Sequence, residues 1–267
     1  MRNLFREDIY TRMCGQFHKY IDRVSMAHGA VGETGQFYDA RIYTMGQGDC
    51  AVGSGYDFFV WLGWKNFVSQ IFSLELNSHT AYTLHFHAGS KVTPSKSGWP
   101  HLDLSVCSAI PTSLPIKTTG DCNYADDTYS EQPHAEKMLR SVALLYYFNN
   151  PDGLSDADGG GTSVYGNYDS SSVIKTIAPK NNSLFAFEVG TASYHGFVGA
   201  NYNRSAMVQW FHSSPSYIVH RRLPEFKARW KSHGDLFERW KKCDPWHIDR
   251  DPSYSKYFDR PLSEVLA

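Results

Sequence analysis

Apolar residues recur at intervals of three and four near the start of the chain. Between residues 3 and 24 this spacing predicts an amphipathic helix that packs one face on the body of the protein. A second apolar stretch, residues 56–76, is nearly continuous, and its length and its polar interruptions favour a buried helix over a strand. Residues 27–55 are rich in glycine and have no period, so we expect a loop there.

The pattern changes after residue 80 to short apolar runs with polar breaks. Residues 80–88 alternate between apolar and polar as a strand does, and residues 137–149 form the longest run. We predict further strands at residues 101–110, 162–168, 172–178, 183–189, 197–202 and 204–211. Eight or so short strands with turn signals at this spacing predict a sandwich or a barrel.

Two histidines and one aspartate on this pattern are candidates for a metal site. His101 and Asp103 are two residues apart, so on a strand their side chains point to the same face. His195 completes a set of two imidazoles and one carboxylate, which binds Fe(II) and leaves positions open for a co-substrate and O2. His85 and His87 are an alternative metal pair, although no carboxylate lies near them in sequence.

An arginine begins one of the predicted strands. Arg204 opens the apolar run at residues 204–211, nine residues after His195. A guanidinium that points inward without a partner is costly. We therefore expect Arg204 to meet either a bound anion or an internal acid such as Glu188.

Metal ligands at strand ends favour a double-stranded β-helix (jelly roll), mainly β with flanking helices. We expect a single domain over residues 1–267, because no repeat or flexible linker interrupts the chain. Within this domain we predict helical and loop support at residues 1–79, the jelly-roll core at 80–213 and a C-terminal helical extension at 214–267.

Composition and charge narrow the function classes. The net charge is −1, so nothing global favours nucleic acid, and no run of 18 apolar residues predicts a membrane span. The N-terminus lacks the apolar core of a signal peptide, and the five cysteines show no CxxC motif. We therefore expect a cytoplasmic protein without nucleic-acid or membrane partners, in which the C-terminal helix could form a homodimer interface.

These residues together resemble a known family. The ordered set of residues 101–103, His195 and Arg204 is similar to the HxD…H…R/K signature of the Fe(II)/2-oxoglutarate-dependent oxygenases, in their prolyl-4-hydroxylase-like branch. Residues 144–149 and 159–162 look like that branch's YYLN strand and its glycine turn. Residues 194–197 look like its distal-histidine turn, with Phe197 where valine is usual. The resemblance covers residues 80–213.

The resemblance implies a role for each matched residue. Fe(II) would be held by His101, Asp103 and His195, and Arg204 would bind the distal carboxylate of the co-substrate 2-oxoglutarate. Tyr147 matches a tyrosine that donates a hydrogen bond to the co-substrate. His87 stands about where relatives place a tyrosine that contacts the co-substrate or lines the pocket.

The substrate pocket is less defined by the sequence. Trp99 directly precedes the metal strand and is a candidate wall of the pocket. Residues 111–136 form a long polar segment that could act as a lid. Within it, Asp126 and Asp127 could recognise a cationic group of the substrate.

The activity that the resemblance implies is hydroxylation of an unactivated C–H bond, with succinate and CO2 as co-products. Asp103 favours hydroxylation or desaturation over halogenation, because halogenating relatives carry a small residue at that position. We expect a small molecule, an amino acid or a natural-product intermediate, as the substrate. The alternatives are a peptidyl or protein side-chain hydroxylase, a cupin-like metalloenzyme that does not use 2-oxoglutarate, and a non-catalytic binding module.

Overall fold

The structure, a computed structural model, describes residues 3–24, 40–93, 95, 97–98, 100–103, 106–110, 112–118, 136–167, 169–190, 192–214, 217–218 and 221–222. Its two α-helices are α1 (Glu7–Ile21) and α2 (Leu62–Phe72), and 3-10 turns occur at Gln47–Cys50 and Asp57–Val60. The strands within these residues are β1 (Ala40–Thr44), β2 (His79–His87), β3 (Val106–Ala109), β4 (Lys117–Thr118), β5 (Glu136–Tyr147), β6 (Thr162–Tyr165), β7 (Val173–Ile177), β8 (Ser183–Glu188), β9 (His195–Phe197) and β10 (Arg204–Ser213).

The strands form two sheets. The larger sheet has the order β1-β2-β10-β5-β3, and β4 and β8 join it at β2 and β5. The long strand β5 pairs with β10 on one side, while on the other side β3 pairs with its first half and β8 with its second. The smaller sheet has the order β7-β6-β9. The predicted jelly roll, mainly β with flanking helices, is confirmed.

The outer face of the larger sheet carries most of the core. Helix α1 buries Met13, Phe17, Tyr20 and Ile21, which recur at the helical spacing that the sequence shows. Phe17 meets Phe148 edge to face, with 4.9 Å between the ring centroids. Burying a side chain of this size contributes roughly 1.5–3 kcal/mol. The helices therefore pack on the outer face of the larger sheet and stabilise it.

The inner face of the larger sheet points at the smaller sheet. Because side chains alternate along a strand, every second residue of β10 from Arg204 to Trp210 lies on this face. The Tyr147 hydroxyl reaches Thr162 on β6, and the His87 ring stacks on Phe197 of β9. The space between the two sheets is where the candidate site lies.

Some predicted elements differ from the structure. The expected loop at residues 27–55 contains the strand β1, so the N-terminal part of the chain holds a strand as well as helices and loops. This five-residue strand is stabilised by pairing with β2, which the local sequence does not reveal. The apolar stretch 56–76 is divided into a 3-10 turn and α2, and its Ile71 is exposed. The strand expected at 197–202 is wrong over most of its length, because β9 covers only His195–Phe197 and beyond it only Ala200 forms an isolated bridge, with Gly159.

Several predictions concern residues that the structure does not describe. Trp99, Asp126, Asp127 and most of the predicted C-terminal extension at 214–267 lie outside the described residues. The single-domain division of the chain stays a prediction. No helix in the described part of the chain is long and apolar enough to cross a membrane.

Candidate metal centre

His101, Asp103 and His195 come together between the two sheets. One ligand atom from each lies within 4.8 Å of the others. The His195 Nε2 atom is 3.4 Å from Asp103 Oδ2, and the His101 Nε2 atom is 3.9 Å from Asp103 Oδ1. Two imidazole nitrogens and a carboxylate at this separation can share one metal ion.

The backbone positions both histidines. His101 and His195 form an antiparallel bridge, with the amide of each donating to the carbonyl of the other at 2.9 and 3.0 Å. The bridge leaves 4.4 Å between the two ring centroids. The sequence predicts a regular strand from residue 101, but the strand β3 begins only at Val106. The bridge to His195 is enough to place the His101 and Asp103 side chains together.

The tautomer of His195 is fixed by the backbone. Its Nδ1 atom lies 2.9 Å from the Ser193 carbonyl oxygen, which can only accept a hydrogen bond. Nδ1 therefore carries the hydrogen, and Nε2 directs a lone pair at the centre of the group. The Phe187 ring packs on the imidazole with 4.6 Å between centroids, which restricts its rotation.

The electrostatic environment keeps Asp103 ionised. Burial raises the pKa of this carboxyl, but His195, Arg140 and His101 together lower it by a larger amount. The pKa of Asp103 therefore lies well below the usual range. Burial lowers the pKa of His195, and Asp103 more than compensates, so the pKa of this imidazole is raised. An ionised carboxylate beside two imidazoles is a suitable donor set for a divalent metal.

Two residues that the sequence did not predict contact Asp103. The Trp210 indole Nε1 donates a hydrogen bond of 2.7 Å to Oδ2, and an Arg140 Nη1 atom lies 3.6 Å from Oδ1. The Arg140 guanidinium also stacks over the Trp210 ring at 4.1 Å. Strand alternation from Arg204 places Trp210 on the inner face, which is the signal that could have found it.

A second polar cluster surrounds Arg204, which is 2% exposed. Its Nε atom donates to the Gly160 carbonyl at 3.1 Å, and its guanidinium lies over the rings of Tyr147 and Phe197 at 5.4 and 5.1 Å. Burial lowers the pKa of Arg204, and Tyr147 partly opposes the shift. Among the described residues, no carboxylate lies within 4.0 Å of this guanidinium.

Glu188 is not the partner of Arg204. Its carboxylate accepts a hydrogen bond of 3.0 Å from Arg222 and lies 3.9 Å from Arg221. In the ladder with β5, Glu188 pairs with Val142, whereas Tyr147 of the Arg204 cluster pairs with Ser183 at the other end of β8. Glu188 is therefore not the internal acid that the sequence suggested, and within the described part of the chain a bound anion is the remaining explanation for Arg204.

The two histidines of β2 belong to the Arg204 cluster. His87 lies opposite Arg204 in the ladder and stacks on Phe197 with 4.0 Å between centroids. Burial and the charge of Arg204 lower the pKa of His87 well below its usual value and that of His85 to about 3. Both imidazoles are neutral and face a guanidinium, so this surrounding does not support the alternative metal pair.

Small and apolar side chains line the face between the two clusters. Ala206 and Val208 lie between Arg204 and Trp210 on the inner face of β10, and Leu145 of β5 packs beside them. Alanine and valine have short side chains, so these residues form a low apolar floor between Arg204 and Trp210.

Comparison with known proteins finds one matching family model. No curated protein matches the sequence. Residues 120–212 match the family model of the 2OG-Fe(II) oxygenase superfamily, where 2OG is 2-oxoglutarate. This match, over 93 of the 267 residues, supports a 2OG-Fe(II) oxygenase. The match includes His195 and Arg204, while His101 and Asp103 lie upstream of it and reach His195 through the fold.

The fold of this oxygenase is similar to that of solved prolyl hydroxylases. A prolyl-4-hydroxylase from Pseudomonas putida matches with a TM-score of 0.50 at 16% identity, over 79% of this chain and 89% of that one. A prolyl hydroxylase from Trichoplax adhaerens, in complex with a hypoxia-inducible-factor peptide fragment, has a TM-score of 0.48 at 15% identity over 79% and 81%. A viral collagen prolyl hydroxylase from Paramecium bursaria Chlorella virus-1 has a TM-score of 0.44 at 11% identity over 80% and 94%.

The family match supports the coarse chemistry, that of an enzyme that uses Fe(II), 2-oxoglutarate and O2. Its residues fit these groups, because the structure supplies a converging His-Asp-His set and a buried guanidinium without a protein carboxylate among the described residues. These residues favour an enzyme that uses 2-oxoglutarate over the cupin-like and the non-catalytic alternatives.

Proposed function

We propose that this oxygenase hydroxylates a side chain of a peptide or protein at the centre formed by His101, Asp103 and His195. The observation that carries the proposal is the convergence of these three donors between the two sheets, on the side of β10 that carries the buried Arg204. The sequence alone favoured a small-molecule substrate. The fold shared with the Pseudomonas putida prolyl-4-hydroxylase supports the peptidyl alternative better.

In this proposal His101, Asp103 and His195 hold Fe(II). The hydrogen bond from His195 Nδ1 to the Ser193 carbonyl leaves Nε2 available as a ligand atom, and Asp103 supplies the negative charge. When bound, Fe(II) with 2-oxoglutarate and O2 supplies the oxidation of a C–H bond to an alcohol, leaving succinate and CO2. The residues of the chain orient these groups and exclude water from them.

Arg204 binds the distal carboxylate of 2-oxoglutarate in the same proposal. A guanidinium fork matches a carboxylate with two parallel hydrogen bonds, and Arg204 already has its Nε atom fixed on Gly160. The Tyr147 ring lies next to the Arg204 guanidinium, and its hydroxyl is 2.8 Å from Thr162 Oγ1. His87 lies opposite Arg204 on the neighbouring strand β2. The neutral state of His87 avoids a second positive charge beside Arg204.

The substrate reaches this centre from the His101 side. The His101 side chain is 33% exposed, whereas those of Asp103 and His195 are below 10%. An opening on one side suits a side chain that is presented by a polypeptide, because the rest of such a substrate can stay outside the protein. A free small molecule requires no such opening once it is bound.

The first test is an anaerobic titration with Fe(II) and 2-oxoglutarate, followed by the weak visible charge-transfer band of the chelate. We expect the band in the wild-type protein and its loss in Asp103→Ala and Arg204→Ala. Arg222→Ala is the matched control, since Arg222 is a partly buried arginine that pairs with Glu188 outside the site. A wild-type protein that binds neither Fe(II) nor 2-oxoglutarate would contradict the proposal.

The substrate class is tested by succinate release and mass spectrometry. Proline-containing peptides and a matched panel of free amino acids are incubated with the Fe(II)-loaded enzyme, 2-oxoglutarate and O2. We expect succinate formation coupled to addition of one oxygen atom to a peptide. Coupled oxidation of a free amino acid, with peptides inert, would instead establish the small-molecule function.

A further inference from the structure

We propose that Trp210 is a positioning residue, whose indole N–H orients the Asp103 carboxylate for metal binding. The inference rests on the proposed metal site and adds to it a side chain that is not a metal ligand. The Trp210 Nε1 atom donates to Asp103 Oδ2 at 2.7 Å, which is at the short end for an N–H···O hydrogen bond.

The Asp103 carboxylate needs an orienting contact more than the histidines do. His101 and His195 are tied to each other by two backbone hydrogen bonds, whereas Asp103 lies beyond this bridge and outside any strand of the described chain. Rotation of the carboxylate about its Cβ–Cγ bond moves Oδ2 away from the indole. The hydrogen bond from β10 therefore selects one orientation of the carboxylate, with Oδ2 also 3.4 Å from His195 Nε2.

Trp210 is itself held firmly. In the sheet it lies between Ala81 of β2 and Ala143 of β5, two small residues that leave room for the indole ring. Its backbone carbonyl accepts a hydrogen bond of 2.9 Å from the Thr80 hydroxyl. The Arg140 guanidinium covers the ring at 4.1 Å. A donor on a rigid central strand can fix the geometry of a ligand on a less regular segment.

Two substitutions separate the hydrogen bond from simple packing. Trp210→Phe keeps an aromatic ring and removes the donor. Trp210→Gln removes the ring and keeps an N–H donor the same number of bonds from Cα. If the N–H group positions Asp103, the Gln variant binds metal more tightly than the Phe variant, although the Phe variant is the more thermally stable of the two.

Trp64→Phe is the matched control. The Trp64 indole is also buried and donates a hydrogen bond, of 3.0 Å, to Gln209, which lies on the opposite face of β10. This variant loses an indole hydrogen bond to the same strand without touching the metal centre. It shows how much a loss of stability alone changes metal binding.

The measurement is the dissociation constant for Mn(II), from electron paramagnetic resonance of the free ion, with a thermal melt of each metal-free variant. We expect Trp210→Phe to bind Mn(II) roughly 10–100-fold more weakly than wild type. Trp210→Gln should recover part of this loss, and Trp64→Phe should bind as wild type does.

Three results would each overturn the inference alone. The first is Mn(II) binding by Trp210→Phe that equals that of wild type. The second is a loss in Trp64→Phe as large as in Trp210→Phe, and the third is a Trp210→Gln variant that binds no better than Trp210→Phe, since either makes the effect one of packing. A wild-type protein without Mn(II) affinity would overturn the proposed metal site together with this inference.

Discussion

At the scale of single residues, the inner face of β2 holds two histidines in their neutral form. Burial lowers the pKa of His87 well below its usual value, and Arg204 adds to the shift. An unfolded histidine titrates near pH 6.5. Below that pH the unfolded chain takes up a proton that the folded protein excludes, so the folded state loses stability as the pH falls.

We therefore predict that replacing His87 by Phe, which keeps a ring on Phe197, makes stability less dependent on pH. Below pH 6.5 the slope of the free energy of unfolding against pH should decrease by up to about 1.4 kcal/mol per pH unit. Urea unfolding of both proteins between pH 7.5 and 5 measures it. His195, whose raised pKa has the opposite effect, cancels in the difference between the two proteins. Equal slopes would show that His87 titrates normally in the folded protein.

At the scale of elements, β10 carries both halves of the candidate site on one face. Arg204 stands at its start and Trp210 near its end, while Ala206 and Val208 form the floor between them. The opposite face, with Met207 and Phe211, belongs to the core under the helices. A change of one position along this strand therefore exchanges a pocket residue for a core residue.

This division predicts different results for two neighbouring substitutions. Ala206→Leu fills the floor next to Arg204, and overpacking of about 1–3 kcal/mol corresponds to a loss of 2-oxoglutarate affinity of roughly 5- to 150-fold. Its Mn(II) affinity should stay that of wild type. Calorimetric titration of each ligand under anaerobic conditions makes the comparison.

Met207→Phe is the control on the other face. It adds bulk in the core and should lower the melting temperature while leaving 2-oxoglutarate affinity unchanged. If Met207→Phe weakens the co-substrate as much as Ala206→Leu does, the floor assigned to Ala206 is incorrect.

Elements with strong periodicity could be predicted from the sequence. The α1 stripe and the alternation in β2 and β10 reflect burial on one face, so the sequence places them within a few residues. Arg140 could not be predicted, because its position depends on an irregularity of β5 that no local pattern signals. The strand β1 was missed since its stability comes from pairing with β2.

At the scale of the whole molecule, the helices and the site lie on opposite faces of one sheet. Helix α1 packs on the outer face, and the inner face carries Arg204 and Trp210 and faces the metal donors. Stability and chemistry are thus supplied by separate layers that share β2, β5 and β10. Substitutions in the outer layer should therefore reduce the fraction of folded protein and leave the Mn(II) affinity of the folded protein unchanged.

We predict that Phe17→Ala lowers the free energy of unfolding by about 3–5 kcal/mol, as expected for loss of a fully buried aromatic side chain. Mn(II) affinity, measured at low temperature on the folded fraction, should remain that of wild type. Lys19→Ala, on the exposed side of α1, serves as the reference for stability. A parallel loss of Mn(II) affinity in Phe17→Ala would mean that α1 also shapes the centre.

The irregularity of β5 has a consequence for how the chain tolerates insertions and deletions. Between Phe211 and His212 of β10 the ladder shifts, so that Ser141 is an extra residue and Arg140 comes to face Trp210. Without this shift, regular alternation from Val142 would turn Arg140 and every earlier residue of β5 to the helix side. Deleting Ser141 would bring Arg140 next to Val142 in a regular ladder and leave it opposite His212, on the face of the candidate site. A deletion at this one position should therefore keep the contact beside Asp103, whereas a deletion elsewhere in the paired part of β5 would exchange its inner and outer residues.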